Sequence, residues 1–179
     1  MQPSSPFFKS LRLSLWAAWV CLAGTAAPLA AANSSIVLHG TVPVNIAVSI
    51  APAANYNNLD LEVNAVNTLL ATITEVANTK LGYTVVLESN NAIAAGQNTA
   101  YFKNTADATE TLNYTLKYNG VTVAFGTGGG IGKALVSNAN AKTPAGGTSK
   151  GLQITYNGSH ANLEDGIYQD TLRVTIAAK

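Results

Sequence analysis

The chain has 179 residues, which is enough for one domain of ordinary size and hardly enough for two. Its ten basic and nine acidic residues nearly balance, and no basic cluster follows one face, which argues against nucleic-acid binding. The charged fraction is only 11%, so the composition predicts a neutral, polar surface.

The first 32 residues have the three parts of a secretory signal peptide. Lys9 and Arg12 form a basic start, an apolar run extends from Leu13 to Gly24, and small residues lead to Ala30-Ala31-Ala32; this order is typical of exported proteins. The apolar run is shorter than the about 20 residues of a membrane span. We therefore predict cleavage after Ala32, with an uncleaved anchor as the alternative.

The single cysteine, Cys21, lies inside this signal. The exported part therefore has no thiol for a disulfide, a thiolate metal site or a cysteine nucleophile. Packing and hydrogen bonding alone must hold it together.

The remaining sequence alternates short runs of Val, Ile, Thr and Tyr with Asn, Gly, Ser and Ala, the pattern of an all-β sandwich. Val63–Ala77 could be argued as a helix, but its Val, Thr and Ile content favours strands. We predict loops at Gly126–Gly132 and Thr143–Gly151. The predicted strands are Ile36–Ile50, Leu59–Val63, Leu69–Val76, Tyr83–Glu88, Ala100–Lys103, Leu112–Tyr118, Val121–Phe125, Ala134–Ser137, Leu152–Tyr156 and Tyr168–Ala177.

The first run is too long for one strand, because every even position from Ile36 to Ile50 is apolar or Gly. Fully extended, it would span roughly 50 Å, against about 17–20 Å for an ordinary strand. Pro43 splits it, since proline lacks the N–H of a central ladder. Either Ile46–Ile50 is the first strand and Ile36–Val44 is an extension that needs a groove, or one strand bends at Pro43 and crosses between the sheets.

Asn119-Gly120 joins two alternating runs, and this pair tolerates positive φ at both turn positions. We predict a tight hairpin there.

The last run also alternates, with Tyr168, Leu172, Val174 and Ile176 on one face. It predicts a half-buried strand. Asp170 falls on the inward side, where we expect a backbone or hydroxyl donor to meet it, since a buried unpaired carboxylate is costly.

Three patterns that suggest chemistry fail on spacing or geometry. Gly126–Lys133 lacks the Gly and the Ser or Thr of a phosphate loop. Neighbours in one loop seldom form a catalytic triad, and the acidic residues near the last strand lack the ligand spacing of a calcium loop. The residues weighed for these two sites are Ser159, His160 and Asp165 for the triad and Glu164, Asp165 and Asp170 for calcium. We therefore expect no catalytic residues, no metal and no cofactor.

The two ends of the exported sequence resemble chaperone–usher pilus subunits. Leu38–Ile46 resembles that family's donor segment, and Gly166–Ile176 is similar to its closing pattern, G-x-Y-x-D-x-x-x-V-x-V/I. The resemblance implies an incomplete immunoglobulin-like sandwich that lacks its seventh strand. It also implies that the N-terminal extension of the next subunit fills the resulting hydrophobic groove, a form of β-strand addition. Many of these subunits carry a disulfide near the first strand, which this chain cannot form.

The resemblance further implies an assignment of residues and partners. Residues 33–44 would be a donor-strand extension and residues 45–179 the immunoglobulin-like domain. Implied partners are neighbouring copies or related subunits, a periplasmic chaperone and an outer-membrane usher, in a non-enzymatic fimbrium on the cell surface. Open alternatives are a monomeric secreted sandwich that binds carbohydrate or protein, and a small exported hydrolase. The donor positions would be Ile36, Leu38, Gly40, Val42 and Val44, and the groove strand would present Tyr168, Leu172, Val174 and Ile176.

Overall fold

The computed structural model describes residues 35–158 and 161–179. The predicted signal peptide, Cys21, Ser159 and His160 lie outside these described residues. The chain divides into two units, residues 1–40 and residues 41–179. Residues 35–45 have no regular secondary structure, and all strands belong to the second unit.

The regular secondary structure of the described residues is almost entirely β-strand, which confirms the all-β prediction. No described helix is long and apolar enough to cross a membrane. The elements are β1 (Ile46–Pro52), β2 (Ala65–Ala77), β3 (Tyr83–Ser89), α1 (Asn90–Ala94), β4 (Tyr101–Asn104), β5 (Thr111–Tyr118), β6 (Val121–Thr122), β7 (Lys133–Ala139), β8 (Thr148–Tyr156), β9 (Tyr168–Gln169) and β10 (Leu172–Ala178).

The strands form two antiparallel sheets. The large sheet has the order β1-β2-β8-β5-β4-β9, with β6 paired to β5, and the small sheet has the order β10-β3-β7. Strand β1 forms one edge of the large sheet and β10 forms one edge of the small sheet.

Side chains that alternate inward build the core between the sheets. On β2, β3, β5 and β8 the inward positions are buried almost completely. Residues 63–77 are therefore strand rather than helix from Ala65 onward, as the sequence favoured. The largest apolar side chains with almost no exposure are Ile73, Val85, Leu87, Leu116 and Ile154.

The predicted hairpin is confirmed. Asn119 and Gly120 have φ angles of 51° and 80°, and Tyr118 pairs with Val121 across the turn. Both turn residues adopt the left-handed conformation that matches strand twist in a two-residue hairpin.

Several predicted boundaries were wrong for identifiable reasons. Leu59–Val63 is no strand; Leu59 and Leu61 pack on the core from an irregular segment. The strand predicted to reach Phe125 ends at Thr122, and the loop predicted for Thr143–Gly151 gives way to β8 at Thr148. The alternation of apolar and polar residues indicates which side chains face inward. It does not indicate whether a neighbouring strand is present to form backbone hydrogen bonds.

The short helix α1 was not predicted. Its N-cap is Ser89, whose Oγ accepts a hydrogen bond from Ala92 N at 3.2 Å. Five residues are too few for helical periodicity to show in a sequence.

The last run is interrupted at Asp170 and Thr171. Before them β9 pairs with β4 in the large sheet, and after them β10 pairs with β3 in the small sheet. The predicted strand Tyr168–Ala177 is therefore two strands, because the chain passes from one sheet to the other at Asp170.

Candidate functional site

The edge strands β1 and β10 face each other across the open side of the sandwich. They run in opposite directions: Ile46 packs near Ile176 at one end, and Ile50 and Leu172 line a common cavity at the other. Within the described part of the chain, each has a ladder partner on one side only, β2 for β1 and β3 for β10. Their free edges therefore offer backbone N–H and C=O groups to a further strand.

The inward face between these edges is apolar but incompletely covered. Ile50 is 49% exposed, whereas its register partner Ile73 is fully buried. Across the groove Val174 is half-buried, although its register partner Leu87 is fully buried. The apolar side chains between β1 and β10 are therefore only partly covered toward the Pro52 end of β1.

A cavity of about 300 Å³ occupies part of this gap. Its wall is mainly apolar and comes from both sheets and from the segment after β1. The lining residues are Ile50, Pro52, Tyr56, Leu59, Leu70, Ala71, Phe102, Tyr114, Leu152, Ile154, Asp170, Thr171, Leu172 and Val174. We call this surface, with the free edges of β1 and β10, the groove.

Asp170 closes one end of the groove. Its carboxylate accepts hydrogen bonds from Ser89 Oγ at 2.6 Å, from Tyr114 OH at 2.5 Å and from Asn91 N at 3.0 Å. The prediction that a hydroxyl donor meets Asp170 is confirmed. Burial, and then the charge of and hydrogen bond to Asp170, raise the pKa of Tyr114 far above its usual range, so this hydroxyl stays a donor. The bonds fix the point where the chain changes sheets and thereby set the start of β10.

The segment before β1 complements the groove: it has apolar side chains that no other described part of the chain covers. Leu38 is 90% exposed, Ile36 and Val42 are almost equally exposed, and Val44 is 73% exposed. A Cβ added at Gly40 would meet nothing within 4 Å. The alternating apolar positions predicted as donor residues are thus exposed to solvent.

Asn78, in the turn after β2, holds the C-terminal part of this segment where it joins β1; we call this part, Pro43 to Asn45, the root of the segment. Asn78 Nδ2 donates to Pro43 O at 2.8 Å, and Asn78 Oδ1 accepts from Asn45 N at 2.7 Å. Asn78 N also donates to Asn45 O at 3.0 Å. These three bonds hold Pro43 and Asn45 at the Ile46 end of β1.

The predicted groove residues divide into three groups. Leu172 and Val174 line the cavity. Ile176 packs on a second apolar cluster around Tyr83 and Val85. Tyr168 lies in β9, outside the cavity lining, and donates from its hydroxyl to Glu164 O at 3.0 Å.

Sequence reasoning missed much of the groove wall. Ile50 carried a signal, because it continues the even-numbered apolar series of the first run. Phe102, whose ring centre lies 4.7 Å from that of Tyr114, carried none that separates it from an ordinary core residue.

The glycine-rich loop has a packing role in the structure. Gly126 N donates to Lys133 O at 2.7 Å, which closes the loop. A side chain at Gly132 would collide with Ile93 N at 2.6 Å. Within residues 35–158 and 161–179, no group of three His, Cys, Asp or Glu side chains is placed to hold a metal ion.

Fold and site together define an all-β sandwich with an apolar groove between two strands, β1 and β10, that each have one free edge. No family model matches the chain, and no curated protein does. Among solved structures it is similar to the E. coli Hda pilus minor tip subunit, HdaB, at 12% identity and a TM-score of 0.40, with 72% of this chain and 80% of that chain covered. It is also similar to a chain from a chaperone-tip adhesin complex of CFA/I fimbriae biogenesis, at 14% identity and a TM-score of 0.41. That match covers 85% of this chain but only 41% of the other. The function proposed below rests on the groove's own geometry.

Proposed function

We propose that this protein is a structural subunit of a surface fibre and that residues Ile36–Val44 of one copy fill the groove of the next. The observation that carries the proposal is a pair of complementary defects in one chain. The groove has apolar, partly exposed side chains between two free strand edges, and the segment before β1 is an alternating apolar segment without cover. Adding a strand to a free sheet edge is a known mode of recognition, in which the backbone gives affinity and alternate side chains give specificity.

The connection to β1 argues against filling of the same groove. Only Asn45 separates Val44 from the first residue of β1, and Asn78 fixes that junction through Pro43 O. To lie beside its own β1, the segment would have to reverse within this held junction. Donation to another copy requires no reversal.

The same junction favours one direction for the incoming segment. The Ile46 end of the groove is occupied by the root of the subunit's own extension. The next subunit is therefore expected at the Pro52 end, with its donor segment antiparallel to β10. Because donor and groove lie on different parts of the surface, the contact is head-to-tail and produces an open filament.

An open groove also implies that other proteins bind the subunit before it is assembled into a fibre. Exposed apolar edges promote misassociation, so we propose a periplasmic chaperone that covers the groove and an outer-membrane usher that replaces it with the next subunit. The proposed role is structural and non-enzymatic, with a location in a cell-surface fimbrium that supports adhesion.

The carbohydrate-binding alternative calls for exposed aromatic rings in a cleft. A mainly apolar depression on the outer face of the large sheet is lined by Tyr114 and Tyr156, among others, but both tyrosines are buried, at 4% and 6% exposure. Tyr56, which is 50% exposed, lines the groove itself, so the groove remains the better candidate site.

Two variants of the full chain, secreted by a bacterial host, test the proposal. Deleting residues 36–44 leaves a subunit that can accept a strand but not donate one. Ile50→Asp places a charge on an exposed groove position and leaves a subunit that can donate but not accept. We expect ladders of multimers on unheated detergent gels from the wild type, monomers from either variant alone, and dimers when both variants are co-expressed.

Val66→Asp is the matched control, because Val66 is 71% exposed and lies outside the groove. It should form ladders like the wild type. Monomers from the wild type, or full ladders from the deletion variant, would refute strand donation by residues 36–44.

A further inference from the structure

The charged side chains of the sandwich are divided between its two ends. All but one of the nine acidic residues lie in the half that contains the Pro52 end of β1, and the remaining one, Glu75, is buried. We call six of them the acidic pole and three lysines at the Ile46 end the lysine pole. The acidic pole comprises Asp60, Glu62, Asp107, Glu110, Glu164 and Asp165, and the lysine pole comprises Lys80, Lys142 and Lys179.

Three separate loops meet in the acidic pole. They are residues 53–64 after β1, residues 105–110 between β4 and β5, and the segment between β8 and β9. Tyr156 OH donates to Asp60 O at 2.8 Å, and Asn104 Nδ2 donates to Asp165 O at 3.3 Å. These bonds hold carboxylates that are distant in sequence at one end of the sandwich.

Three other segments meet in the lysine pole. They are the turn between β2 and β3, the segment between β7 and β8, and the residue after β10. Lys179 N donates to Gly82 O at 3.2 Å, and Thr143 N donates to Ala77 O at 2.8 Å. All three lysines of the pole are exposed.

Neither pole neutralises itself within the described residues. The ion pairs found there join Lys133 and Arg173 to Glu88, and Lys150 to Glu75. None involves a member of either pole. Lys103 on β4 and Lys117, which pairs with Gln153 on β8, are further basic residues in the acidic half, but they are fewer than the carboxylates of the acidic pole, so that end stays negative and the other stays positive.

The donor segment leaves from the middle of the lysine pole. Val42, Pro43 and Val44 line one surface hollow together with Asn78–Leu81 and Lys179. A copy that inserts this segment into a neighbour's groove must therefore bring its lysine pole to the mouth of that groove.

We propose that the acidic pole of one subunit is the docking surface for the lysine pole of the next copy of this chain. This rests on the proposed function. When the donor enters at the Pro52 end, lysines meet carboxylates. When it enters at the Ile46 end, the two lysine poles meet and repel. The charges therefore set the direction of the fibre and accelerate the encounter, while the groove supplies the affinity.

The expected size of the effect follows from its position at the rim of the contact. Exposed ion pairs add little to affinity, but complementary charged surfaces raise association rates by roughly 10- to 1000-fold at low salt. At about 0.1 M salt the screening length is about 10 Å. Assembly should thus slow as salt rises, while the stability of completed fibres changes little.

The experiment uses the full chain secreted by a bacterial host, in two charge-reversed forms. One carries Lys80→Glu, Lys142→Glu and Lys179→Glu, and the other carries Asp60→Lys, Glu62→Lys, Glu164→Lys and Asp165→Lys. At low ionic strength we expect each form alone to assemble at least about tenfold more slowly than the wild type. Mixing the two should restore multimers in which the two forms alternate, because every contact between unlike forms brings opposite charges together. Lys117→Glu, a lysine on β5 outside both poles, is the control and should assemble at the wild-type rate.

Equal rates for all forms, or no recovery on mixing, would overturn the docking surface. A peptide of residues 34–46 separates this outcome from failure of the proposed function, because it carries the donor positions and neither pole. If the peptide binds wild type and both reversed forms equally while their assembly rates are also equal, strand donation stands and the poles play no part. If the peptide binds none and the wild type stays monomeric, both proposals fall.

Discussion

Glu75 is a buried carboxylate on β2 whose partners come from both sheets. It accepts hydrogen bonds from Tyr83 OH at 2.8 Å and from Tyr118 OH at 2.6 Å, and Lys150 Nζ lies 2.8 Å from its Oε2. Tyr83 belongs to the small sheet and the other two belong to the large sheet. Residues 33–179 contain no cysteine, so this polar cluster joins the sheets without a disulfide.

Removing the charge of Glu75 should destabilise the protein strongly. Glu75→Gln leaves Lys150, 15% exposed, without its counter-charge, and breaking a buried ion pair costs about 3–5 kcal/mol. Some exposure of Lys150 places the expected loss in the free energy of unfolding near 3 kcal/mol. Urea unfolding of the full chain measures it.

A double-mutant cycle supplies the control. Glu75→Gln combined with Lys150→Met should cost less than Glu75→Gln alone, because it leaves no charge unpaired and keeps an acceptor beside the hydroxyls of Tyr83 and Tyr118. Glu62→Gln, at an exposed site, should change stability by less than about 0.5 kcal/mol. A loss for Glu75→Gln no larger than that for Glu62→Gln would contradict the role of the cluster.

The same cluster predicts sensitivity to alkaline pH. Burial, and then the hydrogen bond to and charge of Glu75, raise the pKa of Tyr83 to about 12, whereas an unfolded tyrosine ionises near pH 10. Between these values the unfolded chain binds fewer protons than the folded one, so the free energy of unfolding falls as pH rises. Below pH 10 Tyr83 adds no slope. Tyr83→Phe should flatten the fall between about pH 10 and 12, and an unchanged slope in urea unfolding would show that Tyr83 ionises freely in the folded protein.

At the scale of elements, local patterns predicted the hairpin at Asn119 and most core strands, because alternation and turn chemistry are properties of neighbouring residues. The break in the last strand was not predictable in this way. Asp170 is held by Ser89 and Tyr114, which lie 81 and 56 residues away in the sequence. Hydrogen bonds between residues distant in sequence do not alter the alternation of apolar and polar residues in 168–177, so this alternation could not predict the break.

The groove residues also divide into those that local sequence patterns predict and those that they do not. The sequence identified Leu172 and Val174, because they alternate along one strand, and the apolar face of the segment before β1. It missed Tyr56 and Phe102, which become groove residues only when the segment after β1 and strand β4 meet in space. Half-burial is also invisible in sequence: Ile50 and Ile73 differ only in what covers them.

Gly40 offers a test of the donor segment as an element. A Cβ at this position meets nothing within the chain, so Gly40→Leu should leave the melting of the monomer unchanged. In a receiving groove a leucine at this shallow position would overpack, which costs about 1–3 kcal/mol. We expect fewer multimers on an unheated gel at the same level of secreted protein.

Thr41→Leu is the matched control, because Thr41 is a neighbour that falls on the other face of the alternating segment. It should keep the wild-type ladder. Equal ladders from Gly40→Leu and the wild type would remove Gly40 from the junction, and early melting of the monomer would place Gly40 against its own domain.

At the scale of the whole molecule, the proposed strand donation would link stability to assembly. Strands β1 and β10 keep one free edge each, and the side chains between them are half-buried. A filled groove would complete the core along this line and remove both edges at once. Filling should therefore raise the stability of the entire sandwich and not of the groove alone.

We accordingly expect multimers to melt well above the monomer that lacks residues 36–44. Burying the side chains of Ile36, Leu38, Val42 and Val44 contributes roughly 1.5–3 kcal/mol each, and ordering the segment offsets part of this. A net gain of about 4 kcal/mol would raise the melting temperature by roughly 10 °C in a domain of this size. Calorimetry of the two species in the same buffer measures the difference, and the wild-type monomer fraction, which keeps both the donor segment and an intact groove, should melt with the deletion variant. If the wild-type monomer melts as high as the multimers, the segment stabilises its own subunit, and donation between copies is wrong.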